Sequence, residues 1–257
     1  MTRSVTLMTL DDAEHFSPEE RDALLVKYPA HERDVRGKGI PMLGSGRVYP
    51  LSDDKVSTPY FKVPLEWPVI GGIDFGWDHP TAAVRLAYDS EGDTTYITHI
   101  YRVKEATPII HAGALRSWGN IPWAWPHDGE HATSAGGGID LATQYRNQGL
   151  DMLPERAKYE KLSKIAGQSP ARGAVQAGIM DLLDRMQGGR LKVFEHLWEW
   201  FEEFRLYHRK DGKIVKQFDD LMDATRHAHM MLRYARVVGP MKMKTGRGRS
   251  PGGWMAA

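Results

Sequence analysis

Aspartates recur in this chain where secondary structure should end. Asp74 closes the apolar run Val69-Ile70-Gly71-Gly72-Ile73, Asp128 follows the run Ile121 to Trp125, and Asp219, Asp220 and Asp223 fall within five residues of one another. Carboxylates brought together without basic partners repel strongly, and a divalent cation is the usual resolution. Mg²⁺ and Mn²⁺ take oxygen ligands and suit such a cluster. Two such ions about 4 Å apart can hydrolyse a phosphodiester without a nucleophilic side chain. The rest of the sequence agrees: there is no cysteine, no Ser-His-Asp pattern and no G-x-x-x-x-G-K-[ST] phosphate loop. A single aspartate after a strand is most often a turn or cap residue. Asp219 and Asp220 could cap the last helix, and Asp223 could pair with Arg226 or His227. The metal reading therefore rests on convergence, which only the fold can supply.

Other residues carry weaker signals. His79 and His127 adjoin Asp78 and Asp128 and could touch a phosphate or metal, although a structural or solvent-facing histidine is commoner. His227 and His229 read as packing or surface residues of the last helix. Trp123, Trp125, Trp198 and Trp200 read as core rather than base-stacking residues. Glycines 136, 137 and 138 form a flexible loop. Arg205, Arg209, Lys210, Lys213 and Lys216 surround a hairpin with its turn at Asp211-Gly212, a projection that could hold a DNA backbone.

The elements that must position these groups follow from punctuation and periodicity. Ser17-Pro18-Glu19-Glu20 has the form of a capping box, opening a helix that should end before Pro29. Glycines and prolines between 37 and 64 break up any longer element. Three strands follow at 69–74, 81–88 and 94–103, the last two joined by a Glu91-Gly92-Asp93 turn. Then come a helix over 108–118, a strand at 121–125, a helix over 140–148, a strand at 150–153, an amphipathic helix over 173–186 and a strand at 191–194. A helix over 197–207, the basic hairpin and a helix over 219–236 complete the order. This order is that of an α/β fold, an RNase H-like mixed β-sheet flanked by helices, in which the first and fourth strands lie side by side. It predicts three regions: an extended lead-in over 1–65, an RNase H-like domain over 66–238, and a basic tail over 239–257.

The 257 residues suit one large domain or two small ones, and 41% hydrophobic with 26% charged residues is ordinary for a soluble protein. No apolar run approaches a membrane span and no export signal opens the chain, which predicts a cytosolic location. The net charge of +1 hides an asymmetry: from Ala224 to Ala257 there are seven Lys and Arg residues and no Asp or Glu. That end would suit a polyanion or an acidic partner.

Three segments together resemble the nuclease domain of tailed-phage terminase large subunits: Gly72-Ile73-Asp74-Phe75-Gly76-Trp77, Trp125-Pro126-His127-Asp128-Gly129, and Asp219-Asp220-Leu221-Met222-Asp223-Ala224-Thr225-Arg226. The lead-in residues Glu32-Arg33-Asp34, Lys38 to Pro41 and Gly44 to Pro50 resemble the join between ATPase and nuclease in that family, so the likeness spans roughly 8–236. It implies an RNase H-like, Mg²⁺- or Mn²⁺-dependent endonuclease that cuts concatemeric double-stranded viral DNA when packaging starts and when the capsid fills. By motif position Asp74, Asp128 and Asp220 would be the ligands, with Asp219 and Asp223 supporting or alternative. The implied partners are DNA, a small terminase subunit and a portal protein, with the tail facing portal or DNA, in the host cytoplasm and outside the mature virion. The family's ATPase module is absent, so the chain reads as an excised domain or a short natural product. The alternatives are another RNase H-like nuclease of resolvase or transposase type, or a non-catalytic DNA-binding packaging module.

Overall fold

The computed structural model describes residues 9–13, 15–26, 37, 46–132, 137–158, 170–211 and 213–239. Its strands are β1 (Ser57–Thr58), β2 (Val69–Asp74), β3 (Thr81–Asp89), β4 (Thr94–Val103), β5 (Pro122–Ala124), β6 (Asp151–Met152) and β7 (Leu191–Phe194), with β8 (Arg209–Lys210) and β9 (Lys213–Ile214) forming the hairpin. Its helices are α1 (Pro18–Val26), α2 (Asp53–Val56), α3 (Pro108–Leu115), α4 (Leu141–Asn147), α5 (Pro170–Gln187), α6 (Trp198–Leu206) and α7 (Asp220–Met230).

The seven longer-range strands form one sheet in the order β1-β7-β4-β3-β2-β5-β6. β2, β3 and β4 are an antiparallel meander. β5 lies parallel to β2, pairing Gly71 with Trp123 and Gly72 with Ala124, so the first and fourth of the expected strands are neighbours. β6 extends that edge in parallel, and β7 and β1 extend the other.

β2 is squeezed from both faces, and its two glycines show why. A Cβ on Gly71 would lie 2.4 Å from the Trp123 ring, and one on Gly72 would lie 2.1 Å from the Ala224 carbonyl oxygen and 2.7 Å from the Ala228 Cβ. Successive strand residues point to opposite faces. Gly71 thus admits the tryptophan on one side, and Gly72 lets α7 pack directly on the backbone on the other. Ala224 and Ala228, one turn apart, are the matching small residues on the helix. All eleven residues of α7 are buried.

The capping box of α1 forms as expected: Ser17 N–H donates to Glu20 Oε2 at 2.8 Å and Glu20 N–H donates to Ser17 Oγ at 3.2 Å. Four readings differ. Residues 46–58, grouped above with the lead-in, pack into the domain: Val48, Tyr49 and Val56 are core residues, β1 joins the sheet, and Val48 N–H donates to the Tyr207 carbonyl. The dense glycine and proline punctuation hides elements this short. The helix expected over 108–118 becomes α3 and a 3₁₀ turn at Arg116–Trp118. The last helix ends at Met230, followed by a 3₁₀ turn at Leu232–Tyr234. Trp198 is 65% exposed at the first position of α6, while Trp123, Trp125 and Trp200 are buried. The lead-in motifs at 32–34 and 38–45, Gly136, Gly212 and the tail beyond Gly239 lie outside the described residues.

Candidate active site and metal centre

The sheet and α7 build the site together. Asp74 is the last residue of β2, and the first turn of α7 crosses the end of that strand, held there by the Gly72 contact. Asp74, Asp128, Asp219, Asp220 and Asp223 all line one open cavity of about 710 Å³. Arg102, Lys104, Arg156 and Lys216 line it as well, so carboxylates and basic side chains share the cavity.

The aspartates differ in what they touch. Asp223 is buried and paired with Arg226 at 3.0 Å and with Lys216 at 3.1 Å. Asp219, the residue preceding α7, is held by Lys216 at 3.1 Å. Asp220 meets His79 Nδ1 at 3.0 Å and Arg102 Nη2 at 4.0 Å. The nearest basic group of Asp74 within 4 Å, among the described residues, is His227 Nδ1 at 3.9 Å. That nitrogen lies closer to the Ile73 carbonyl, at 3.2 Å. Asp128 sits in a short 3₁₀ turn after β5, 71% exposed, with His131 Nδ1 at 3.9 Å. Among the described residues, the set whose ligand atoms all lie within 4.8 Å of one another is Asp74, His79 and Asp220. Asp128 faces the same cavity from outside that set.

The electrostatics sort the same residues. Burial, together with the charges of Asp223 and Asp220, holds the Asp74 carboxyl well above the usual carboxylate range, against the pull of Arg226 and Lys216. Burial also raises Asp219, opposed by Lys216. Burial works to raise Asp223 too, but Arg226 and Lys216 outweigh it and bring the carboxyl down to about 2. Burial, helped by Arg226, lowers His227 to about 3, so at neutral pH its imidazole brings no positive charge to Asp74. Asp223 is thus a satisfied buried anion, whereas the Asp74 carboxyl is raised by burial and by its acidic neighbours and lacks compensating positive charge. A cation beside Asp74 and Asp220 would relieve that.

Two supporting residues were not identified from the sequence. Glu203 of α6 is fully buried; its Oε2 accepts from the Leu221 N–H at 2.7 Å, satisfying an orphan donor in the first turn of α7, and its Oε1 lies 3.0 Å from Arg102 Nε. Burial pushes its carboxyl up to about 8 despite Arg102 and that N–H. Arg102 stands between Glu203 and Asp220. The available signal was position: Glu203 shares a helix face with Trp200 and Phe204, and a glutamate on an apolar stripe is a buried charge in need of a partner.

The five basic residues around the hairpin separate. Lys210 and Lys213 are exposed on β8 and β9. Arg209 donates to Gln176 Oε1 at 2.6 Å, Arg205 is bound to Asp53 at 2.7 Å, and Lys216 turns inward to the aspartates.

Known proteins resemble this chain in sequence and fold. The family described as terminase RNaseH-like domain matches residues 71–232. A terminase large subunit of Salmonella phage P22 is 43% identical over 239 residues, 92% of this chain and 46% of that protein. One of Enterobacteria phage LP7 is 43% identical over 232 residues, 90% of this chain and 47% of that protein. The chain spans about half the length of these curated relatives. Among solved structures, the P22 large terminase nuclease domain superimposes with a TM-score of 0.65 at 42% identity, covering 75% of this chain and 95% of that one. The large terminase of a thermophilic bacteriophage superimposes with a TM-score of 0.54 at 18% identity over 87% of this chain and 54% of that one, a likeness of fold alone.

Proposed function

This chain belongs to the terminase RNaseH-like domain family, and from that premise we propose that it is the DNA-cutting part of a genome-packaging motor. In this reading it is a divalent-metal-dependent endonuclease that cleaves concatemeric double-stranded viral DNA in the host cytoplasm. The observation that carries the reading is the meeting of Asp74 and Asp220, remote in sequence, within 4.8 Å in a cavity that basic side chains also line. The donor set fits a hard cation: carboxylate oxygens, one of them charge-starved, in a cavity open to solvent.

Asp74 and Asp220 would hold Mg²⁺ or Mn²⁺, with Asp128 completing the set from the cavity wall. Bound there, the metal would supply an activated water and neutralise charge on the phosphate. The chain's own groups do the rest. Asp223, fixed by Arg226, anchors Lys216, and Lys216 in turn holds Asp219, so these two aspartates shape the floor and support the ligands. Glu203 and Arg102 fix the first turn of α7 and the direction of Asp220. Arg102, Lys104 and Arg156 face the same opening and suit the phosphates flanking the scissile bond. Lys210 and Lys213 extend that surface along the duplex, with Arg209 beside them. A small terminase subunit and a portal protein are the expected partners by family. Among the described residues no helix is long and apolar enough to cross a membrane.

Plasmid cleavage tests the reading. The protein should nick and linearise plasmid in Mg²⁺ or Mn²⁺, and EDTA should stop it. Asp74→Ala and Asp220→Ala should reduce cutting to background while leaving the circular dichroism spectrum unchanged. Cutting by either variant at the parent rate removes that residue from the site. A preference for four-way junctions over linear duplex would move the activity to the resolvase type.

A further inference from the structure

The loop joining β2 to β3 brings a nitrogen donor into an otherwise carboxylate floor. Thr81 closes this loop: its hydroxyl accepts from the Gly76 N–H at 3.1 Å and donates to the Gly76 carbonyl at 2.9 Å. The closed loop folds His79 back over Gly76, where a Cβ would lie 2.5 Å from His79 Nδ1 and 2.4 Å from the His79 carbonyl oxygen. The imidazole therefore occupies space that only a glycine leaves free. Nδ1 lies 3.0 Å from Asp220 Oδ1, while the side chain is 60% exposed. One edge of the ring meets the carboxylates and the remainder stays open to the cavity.

The alternative partners of the floor are already engaged. Arg226 and Lys216 hold Asp223, Lys216 holds Asp219, and His227 Nδ1 is directed at the Ile73 carbonyl. Among the described residues, His79 is the histidine whose ring nitrogen shares a 4.8 Å neighbourhood with Asp74 and Asp220. We propose that His79 is a direct ligand of the ion held by Asp74 and Asp220, making the site a mixed nitrogen–oxygen centre. This rests on the metal-dependent reading above. An imidazole nitrogen favours first-row transition ions, whereas Mg²⁺ keeps to oxygen. His79 thus raises affinity for Mn²⁺ more than for Mg²⁺.

The test is spectroscopic and needs no DNA. Mn²⁺ bound to the parent chain should show ¹⁴N coupling from a directly bound imidazole in pulsed electron paramagnetic resonance. His79→Ala and His79→Asn should both abolish that coupling and weaken Mn²⁺ binding by about 10-fold or more, the scale seen when groups that set up a metal site are removed. Mg²⁺ binding, measured by competition, should weaken less. Asparagine can still donate to Asp220, so full Mn²⁺ affinity in His79→Asn would make His79 a hydrogen-bonding support and overturn its role as ligand. Coupling that persists in His79→Ala would assign the nitrogen to another histidine of the cavity, His227 or His127, and overturn the proposal as well. Asp74→Asn separates the two levels. If Mn²⁺ binding depends on Asp74 but shows no nitrogen coupling, only the His79 assignment falls. If binding is indifferent to Asp74, the ion is elsewhere and the metal-dependent reading falls with it.

Discussion

Asp74 sets stability against chemistry. Burial and the neighbouring Asp223 and Asp220 charges raise its carboxyl well above the ordinary value. A carboxyl that binds its proton more tightly folded than unfolded costs the fold stability as pH climbs from the ordinary value to the raised one. At neutral pH the metal-free protein carries that cost, and Asp74→Asn removes it. We predict that Asp74→Asn melts about 2–4 °C higher than the parent at pH 7 without metal, the shift that ~1 kcal/mol makes in a domain of this size. The gap should narrow towards pH 4, and Mn²⁺ should raise the melting temperature of the parent but not of the variant. A variant that melts below the parent at pH 7 would mean that the Asp74 carboxylate is already compensated. Asp223 has the opposite sign. Its carboxyl lies at about 2, so its contribution is present above the ordinary carboxylate value and is lost only as pH falls towards 2. Its partner should be correspondingly costly to remove. Arg226→Met leaves Asp223 with Lys216 as its remaining cation and should cost about 3 kcal/mol in urea unfolding, the lower end for breaking a buried pair.

At the scale of elements, the close approach of α7 to β2 decides where Asp220 stands. Gly72→Ala places a Cβ 2.1 Å from backbone oxygen, which no rotamer change relieves. We expect about 3 kcal/mol of destabilisation, the upper end of overpacking costs, with loss of Mn²⁺ binding as the helix is displaced. Gly113→Ala in α3 is the control: a Cβ there meets nothing within 4 Å, so the change should stabilise by about 0.4–1 kcal/mol. Glu203 ties α6 to the same helix start. Its carboxyl, pushed up to about 8, makes stability fall as pH rises from the ordinary glutamate value towards 8. Glu203→Gln, whose carboxamide oxygen can still accept from Leu221, should flatten that slope when urea midpoints are compared at pH 5 and pH 8.5. Strand order and the strand-end position of Asp74 were legible because turn residues and apolar runs are local signals. Gly71-Gly72 read only as part of a strand, because the bodies it accommodates, Trp123 and α7, are distant in sequence. The same limit hid the split among the acidic residues. Nothing local says that Asp223 is held by a buried arginine, that Asp128 stands in solvent, or that His79 folds back onto Asp220.

For the molecule as a whole, charge placement matters more than net charge. The formal value of +1 would suggest weak attraction to a polyanion, yet Arg102, Lys104, Arg156 and Lys216 line the same cavity as the aspartates. In the DNA-cutting reading, a duplex reaching the cavity would meet exposed lysines in and beside it. Lys104, Lys210 and Lys213 are exposed, whereas Lys216 is already held by Asp219 and Asp223. Each phosphate neutralised by such a group releases condensed counterions, so the logarithm of the binding constant falls with the logarithm of salt with a slope of about −0.9 per contact. Replacing Lys104, Lys210 and Lys213 together by Ala should therefore reduce the magnitude of that slope by about 2–3 and weaken binding alike for unrelated duplex sequences. Anisotropy of a labelled duplex in Ca²⁺ at several salt concentrations measures both. Mn²⁺ affinity of the DNA-free protein should not change, because none of the three lysines touches an aspartate of the floor. A slope that stays at the parent value would place the DNA on another face. A loss confined to one sequence would indicate base contacts, which backbone-directed lysines do not make.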